Sequence, residues 1–360
     1  MAAAGQAPVR LAGVPAPLSA TDVYAADRPG LLSPAVRGAR ALVYVPNSKN
    51  NTVTVIDQGS MRVLTTFPVG REPQHVVPAY DLKTLYVVAD YVPAGGGPGA
   101  GGLTPINPVT GTPGRPIRVD DPYNLYFTPD GRYAIVVAEA RKRLDFYDPH
   151  TWRRVNSLAV PTCAGVDHID FSADGRTLLA SCEFADRVIA VDVAGRRLLR
   201  SIHLPRRSDG MPQDVKLSPD GRVFYVADMM ADGVYLIDGA ATKVLGFLPT
   251  GRGAHGLYID RTSTRLFVTN RMAGTITVVD VHTNRPVHTW QLPGTSPDMG
   301  NLSADGKVFW LSGRYNSSVY AISTVDGHLI KTIRVGAGPH GLCVWPVPGR
   351  YSLGHTGILR

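Results

Sequence analysis

Four of the chain's ten histidines, His75, His168, His255 and His340, fall at equivalent points of a repeating pattern, where each repeat's first apolar run begins. The aligned pairs are Gln74-His75, Tyr123-Asn124, Asp167-His168, Gln213-Asp214, His255-Gly256, Asp298-Met299 and His340-Gly341. Histidine therefore occupies the first, third, fifth and seventh repeats. Imidazoles converging from several repeats can hold a divalent transition metal, because the neutral ring nitrogen suits copper, iron and zinc. The stagger of His75 and His168, one residue later than His255 and His340, argues against all four reaching one point. In a turn such as Pro339-His340-Gly341 a histidine also serves simply by bonding backbone carbonyls.

Carboxylates share this neighbourhood. The same pairs supply Asp214 and Asp298, and the loops after the second strand-like runs supply Asp90, Glu139, Glu183, Asp228 and Asn270. The three glutamates, Glu72, Glu139 and Glu183, all map to one face. Beside imidazoles such groups act as ligands, as partners that fix a ring tautomer, or as a general acid/base pair; otherwise strand-end acids are solvated or accept backbone hydrogen bonds. Glu183, Asp214 and Asp298 are the candidate catalytic groups. Arg71, Arg141, Arg252, Arg271, Arg314 and Lys49 lie in or beside these loops, and guanidinium forks pair with carboxylate or phosphate. The chemistry expected is that of a metal-assisted enzyme, of lyase, isomerase or oxygenase type, on a small, anionic organic substrate. The alternative is a non-catalytic ring that displays Tyr91, Tyr123, Phe184 and Met229-Met230 to a protein, carbohydrate or nucleic acid. Gly95-Gly96-Gly97-Pro98-Gly99 lacks the Gly-Lys-Ser/Thr ending of a phosphate loop and reads as a flexible excursion.

The elements that must position these residues are short strands. Seven apolar runs close on Asp57, Asn107, Asp148, Asp192, Asp238, Asp280 and Ser323, at separations of 50, 41, 44, 46, 42 and 43 residues. A period near forty indicates an array of repeats. Runs such as Val53-Thr54-Val55-Ile56 and Leu266-Phe267-Val268-Thr269 are β-branched and aromatic, and Asp-Gly turns at Asp130-Gly131, Asp174-Gly175, Asp220-Gly221 and Asp305-Gly306 divide them into hairpins. Four antiparallel strands in each of seven repeats predict an all-β, seven-bladed propeller, an architecture that disposes of sheet edges by closing into a ring. The first repeat starts at its second strand and the run Gly341–Trp345 has no partner after it, so the C-terminal inner strand is expected to complete the first blade.

Tyr44-Val45-Pro46-Asn47, Tyr225-Val226-Ala227-Asp228 and Phe267-Val268-Thr269-Asn270, preceded in their repeats by pairs such as Thr250-Gly251 and Val335-Gly336, resemble the YVTN-repeat family over about residues 41 to 346. That resemblance implies the propeller but no single activity, since similar propellers include lactonases, lyases, redox-protein domains, surface proteins and a bacterial protein reported to bind single-stranded DNA. In its axial histidines alone the chain is also similar to carotenoid oxygenases, propellers that hold iron with four histidines.

Composition sets the outer limits. Over 360 residues, 44% hydrophobic and 18% charged content argue against disorder, and no stretch is long enough to span a bilayer. The net charge of +8 is scattered rather than clustered and carries no interleaved aromatics, which speaks against nucleic acid without excluding it. Cys163, Cys182 and Cys343 are odd in number and show no metal-type spacing, so no disulfide framework is expected; Cys182 and Cys343 read as small buried hydrophobes. Residues 1–40 form an Ala/Pro-rich extension without the basic start and apolar core of a secretory signal, 41–350 the propeller, and 351–360 a tail. A monomer is expected, cytoplasmic as written and exported if a leader has been removed. The tail's His355 has no repeat to place it.

Overall fold

Apolar runs that alternate with tight turns can bury both faces only by stacking as sheets. In the computed structural model, which describes residues 10–90, 101–355 and 358–360, they form seven antiparallel sheets, the blades of one propeller. The sixth blade shows the plan: Ala254–Ile259, Arg265–Asn270, Thr275–Asp280 and Arg285–Gln291 run from the axis outward. Its two inner strands are almost wholly buried, whereas the outermost carries solvent-facing residues. Among the described residues the helical content is one 3-10 turn, Pro34–Val36.

Turn chemistry fixes the hairpins. Asp220 Oδ1 accepts from Ser218 Oγ at 2.6 Å and from the Arg222 N–H at 3.0 Å, while Gly221 adopts the left-handed φ of +72° that a side chain would resist. The asparagine of the recurring motif is equally structural. Asn270 Nδ2 donates to Thr275 Oγ1 (3.0 Å) and Thr277 Oγ1 (2.9 Å), and its Oδ1 accepts from the Gly251 N–H (3.0 Å). Asn47 repeats the pattern with Thr52 and Thr54 at 3.1 and 2.9 Å.

The ring closes where expected. Cys343–Trp345 pairs with Leu42–Asn47 in the register Leu42↔Trp345, Val43↔Val344, Tyr44↔Cys343. The chain then turns into the channel. Ser352–Gly354 and Ile358–Leu359 form a hairpin that joins the innermost strand of blade 3, Pro122–Phe127, through the pair Gly354↔Tyr126. The N-terminal segment packs against the Asp-Gly turns at the same end: the Leu11 N–H donates to Asp174 O and the Val23 N–H to Pro219 O. Arg360 Nη2 donates to the buried Asp170 at 2.8 Å, and Arg261 pairs with Asp27. Both terminal segments thus floor the channel at the end opposite the histidine loops.

One expectation is overturned. Cys163 and Cys182 form a disulfide with Cα atoms 4.8 Å apart. The cause is register: Val166 pairs with Cys182 across the hairpin of Val166–Phe171 and Thr177–Cys182, and Cys163 lies in the loop leading into that hairpin. Two cysteines separated by 19 residues are thereby brought side by side, and Cys182 is no free hydrophobic thiol. Cys343 remains a free, buried thiol.

Candidate functional site

The stagger among the histidines is absorbed by backbone irregularity. In blades 2 to 7 the inner strand slips register at its loop end, for instance between Pro73 and His75, Val166 and Ile169, Ala254 and Leu257, and Pro297 and Gly300. A bulge re-aims side chains that would otherwise alternate, so successive residues such as Asp167 and His168 are both buried at the channel end. His75 stands at the hub, its ring centre 5.5 Å from that of His168, 4.9 Å from His340 and 5.2 Å from His355. His255 joins through His340 at 5.9 Å. Gly341 makes room for the hub: a Cβ there would meet His75 Nδ1 at 2.0 Å.

The side chains arrange themselves in two tiers. Asp298 organises the upper one. Its Oδ2 accepts from His340 Nδ1 at 2.7 Å, its Oδ1 accepts from Arg271 Nη1 at 2.9 Å, and His255 Nδ1 stands 3.2 Å from Oδ1. A carboxylate that takes the proton-bearing Nδ1 of a histidine leaves Nε2 as the lone-pair nitrogen. His340 Nε2 faces Tyr123 Oη at 3.4 Å. Neither nitrogen of His75 has a hydrogen-bond partner among the described residues. The lower tier holds His168, Asp214 and His355, each able to offer a ligand atom within 4.8 Å of the others. Asp214 is pinned by two backbone donors, Val215 N–H to Oδ1 and Leu257 N–H to Oδ2, both at 2.9 Å.

Burial decides the charge states. It holds all five imidazoles neutral, with His168 down to about 3 and His75, His255, His340 and His355 well below the usual histidine range; neighbouring cations such as Arg271 and Arg314 push the same way. The acids move in the opposite sense. Burial raises Asp214 to about 6, Glu139 to about 8 and Asp90 to about 9, and it raises Asp167 and Glu183 as well. For Glu139 the neighbouring Glu183 and Asp121 add to the effect. An acid harder to ionise in the folded chain makes stability fall as pH rises from the ordinary glutamate range towards 8. Glu139→Gln should flatten that fall and exceed the parent in stability at pH 8, as read from urea unfolding at pH 5 and pH 8. A parent equally stable at both, unaltered by the substitution, would contradict it.

Of the sequence candidates, His75, His168, His255 and His340 are joined by ring contacts, and Asp214 and Asp298 lie among them. Glu183 stands apart on the rim, accepting from Gln213 Nε2 at 3.1 Å. Arg271 is buried against Asp298 and Arg314 is half-buried with Nη1 unpartnered, whereas Lys49, Arg71 and Arg252 are exposed. Asp228 takes the backbone N–H groups of Met211, Met230 and Ala231, a turn-closing role. Tyr91 and the glycine run 95–99 lie outside the described residues. Two contributors were not assigned to the site. Tyr123 belongs to the repeat alignment, yet its residue type alone reads as a surface aromatic. His355 carries no repeat signal, and only the tail's path brings it in.

Seven closed blades surround a buried histidine cluster, the architecture of a β-propeller. The chain belongs to the YncE-like β-propeller family, whose model matches residues 18–348. The uncharacterized protein YncE of Salmonella typhi is 29% identical over 146 residues; the match spans 40% of this chain and 40% of that relative. The periplasmic gluconolactonase of Pseudomonas aeruginosa superposes with a TM-score of 0.70 at 20% identity, covering 86% of this chain and 99% of that one. A putative 6-phosphogluconolactonase of Bacteroides uniformis gives 0.67 at 16%, over 84% and 99%. At these identities the superpositions show a shared fold alone. No helix among the described residues is long and apolar enough to cross a membrane.

Proposed function

We propose that the protein is a metal-assisted enzyme acting on a small, anionic organic molecule that enters at the histidine end of the channel. The carrying observation is the arrangement about Asp298: Arg271 and His340 hold it, His340 Nε2 is left as a lone-pair donor, and the wholly buried His75 beside it has no partner for either nitrogen. Buried polar atoms without partners are costly, and an ion meets that demand where apolar packing cannot. His75, His255 and His340 are the proposed ligands of this ion, and copper, iron and zinc are the ions this donor set suits. When bound, such an ion supplies Lewis-acid polarisation of a carbonyl or activation of a water. Arg314 Nη1 and Arg271 Nε, both unpartnered, are the proposed hold on a carboxylate or phosphate.

Glu139, raised to about 8 by burial, and Glu183, raised by burial as well, are the proposed proton donors; Asp298 and Asp214, already engaged, suit holding roles better than acid/base ones. Lyase, isomerase and oxygenase types fit this inventory, and so does the opening of a hydroxy-acid lactone, the chemistry in the gluconolactonase's name. The buried disulfide fits an oxidising compartment and favours export. A second reading, a binding ring, draws on Phe184, Met272 and Tyr315, which are 61%, 47% and 63% exposed at the ends of the strand-connecting loops on this face. A thermal-shift screen of metal-loaded protein against small carboxylates, lactones and phosphates separates the two. An acid that raises the melting temperature of the parent but not of Arg314→Ala is expected; stabilisation by neutral or peptide ligands alone would favour the binding ring.

A further inference from the structure

The C-terminal tail does more than close the floor. Its hairpin places a histidine among the ring's own, although a plug needs only apolar bulk. The placement is specific. Gly354 adopts φ +106°, and a Cβ on it would meet Leu125 O at 2.4 Å, so glycine alone allows the strand to lie against blade 3. The His355 N–H then donates to Leu125 O at 3.0 Å, and His355 itself takes a left-handed φ of +49°. Non-glycine residues pay steric strain for that conformation. Tail and ring thus constrain the backbone to deliver one imidazole.

That imidazole meets a ready set of donors. The ring centres of His355 and His168 are 4.6 Å apart. Two imidazoles sharing one ion through bonds of ~2.0–2.1 Å would place their ring centres roughly 4.5–5.3 Å apart. Asn124 Nδ2 lies 3.3 Å from His168 Nδ1 and 3.2 Å from His355 Nδ1, gripping both rings by one edge. On the other edge neither Nε2 has a hydrogen-bond partner. Asp167 Oδ1, 3.2 Å from His168 Nε2, is out of line, and Asp214 Oδ1, 3.7 Å from His355 Nε2, is too far. Asp214 is held in place by its two backbone donors and keeps lone pairs to spare.

We infer that His168, Asp214 and His355 form a second, deeper transition-metal site, completed by the C-terminal tail and distinct from the ion proposed under Asp298. Two imidazoles and one carboxylate suit zinc or iron(II) and leave coordination positions open. Binding through Nε2 moves each ring proton to Nδ1, and Asn124 accommodates this by turning its amide oxygen to the rings, at the loss of its bond from the Leu125 N–H at 2.9 Å. The deep ion then crosslinks tail to blades 4 and 5, so metal uptake and tail docking become one equilibrium.

The inference shares with the proposed function only the premise that the channel binds a transition metal, and the test separates them. Full-length protein, stripped with chelator and reloaded with zinc or cobalt(II), is assayed for bound metal per chain in the parent, His355→Asn and His340→Ala. Asparagine is chosen because it tolerates the left-handed backbone, and urea melts of the stripped proteins verify folding. His355→Asn is expected to lose one ion per chain, together with the part of the metal-induced rise in melting temperature due to that site, while His340→Ala keeps that ion. Should His355→Asn fail to fold, His168→Gln, carried on the ring itself, reads the same loss. A His355→Asn protein with the parent's full metal content overturns the deep site, and if His340→Ala alone is then depleted the upper ion stands. Depletion by His355→Asn alone sustains the deep site and removes the upper one. A folded parent that takes up no metal overturns both.

Discussion

Replacing Asp298 with Ala should cost about 3–5 kcal/mol of folding stability, because it breaks a buried charge pair from one side. Arg271 Nη1 is 2.9 Å from Asp298 Oδ1, and both side chains are almost fully buried, so the guanidinium would be left without its counter-charge. His340 would also lose the 2.7 Å bond that sets its tautomer. Asp298→Asn keeps one acceptor and should fall between parent and Ala. Urea unfolding of the three proteins at pH 7 measures the series. A loss from Asp298→Ala within about 0.5 kcal/mol, the range of ordinary surface substitutions, would show that Asp298 does not organise the upper tier.

Deleting residues 341–360 should abolish cooperative folding. The segment supplies the inner strand of blade 1 and the buried side chains Leu342, Val344, Trp345, Val347, Leu353 and Leu359. At about 1.5–3 kcal/mol for each fully buried apolar side chain, that loss matches or exceeds the whole net stability of a typical domain, roughly 5–15 kcal/mol. It also leaves Leu42–Asn47 as an open sheet edge. Deleting only 351–360 keeps the closing strand, so that protein should still melt in one transition at a lower temperature. Calorimetry distinguishes the cases. A protein cut before Gly341 that melts cooperatively near the parent would refute closure by this strand.

The parts legible in the sequence were those governed by local chemistry. Asp57, Asp192, Asp238, Asp280 and Ser323 are the last residues of the third strands of their blades, and Asn107 and Asp148 lie one residue beyond theirs. An acid that ends such a strand accepts the N–H groups of the turn it starts, as Asp57 Oδ1 does from Ser60 at 2.8 Å, so the repeat shows in one residue type. Ring closure was legible by counting strands. The disulfide was not, because only the pairing of Val166 with Cys182 brings Cys163 near. The two tiers depend on register slips that no residue type announces, and these let His75 and His168 reach the channel despite their offset. His255 and His340 are almost fully buried at the channel end, with Asp298 and Arg271 packed against them. His355 enters through a hairpin whose partner strand lies more than two hundred residues earlier in the chain.

The most direct measurement is elemental analysis of the purified protein alongside the double variant His75→Ala/His340→Ala. The parent is expected to carry copper, iron or zinc in stoichiometric amount, or to take it up on reloading, and the double variant to lose the ion held under Asp298 while remaining folded. A folded parent that contains no transition metal and binds none when it is supplied would contradict the metal-centred reading of this channel.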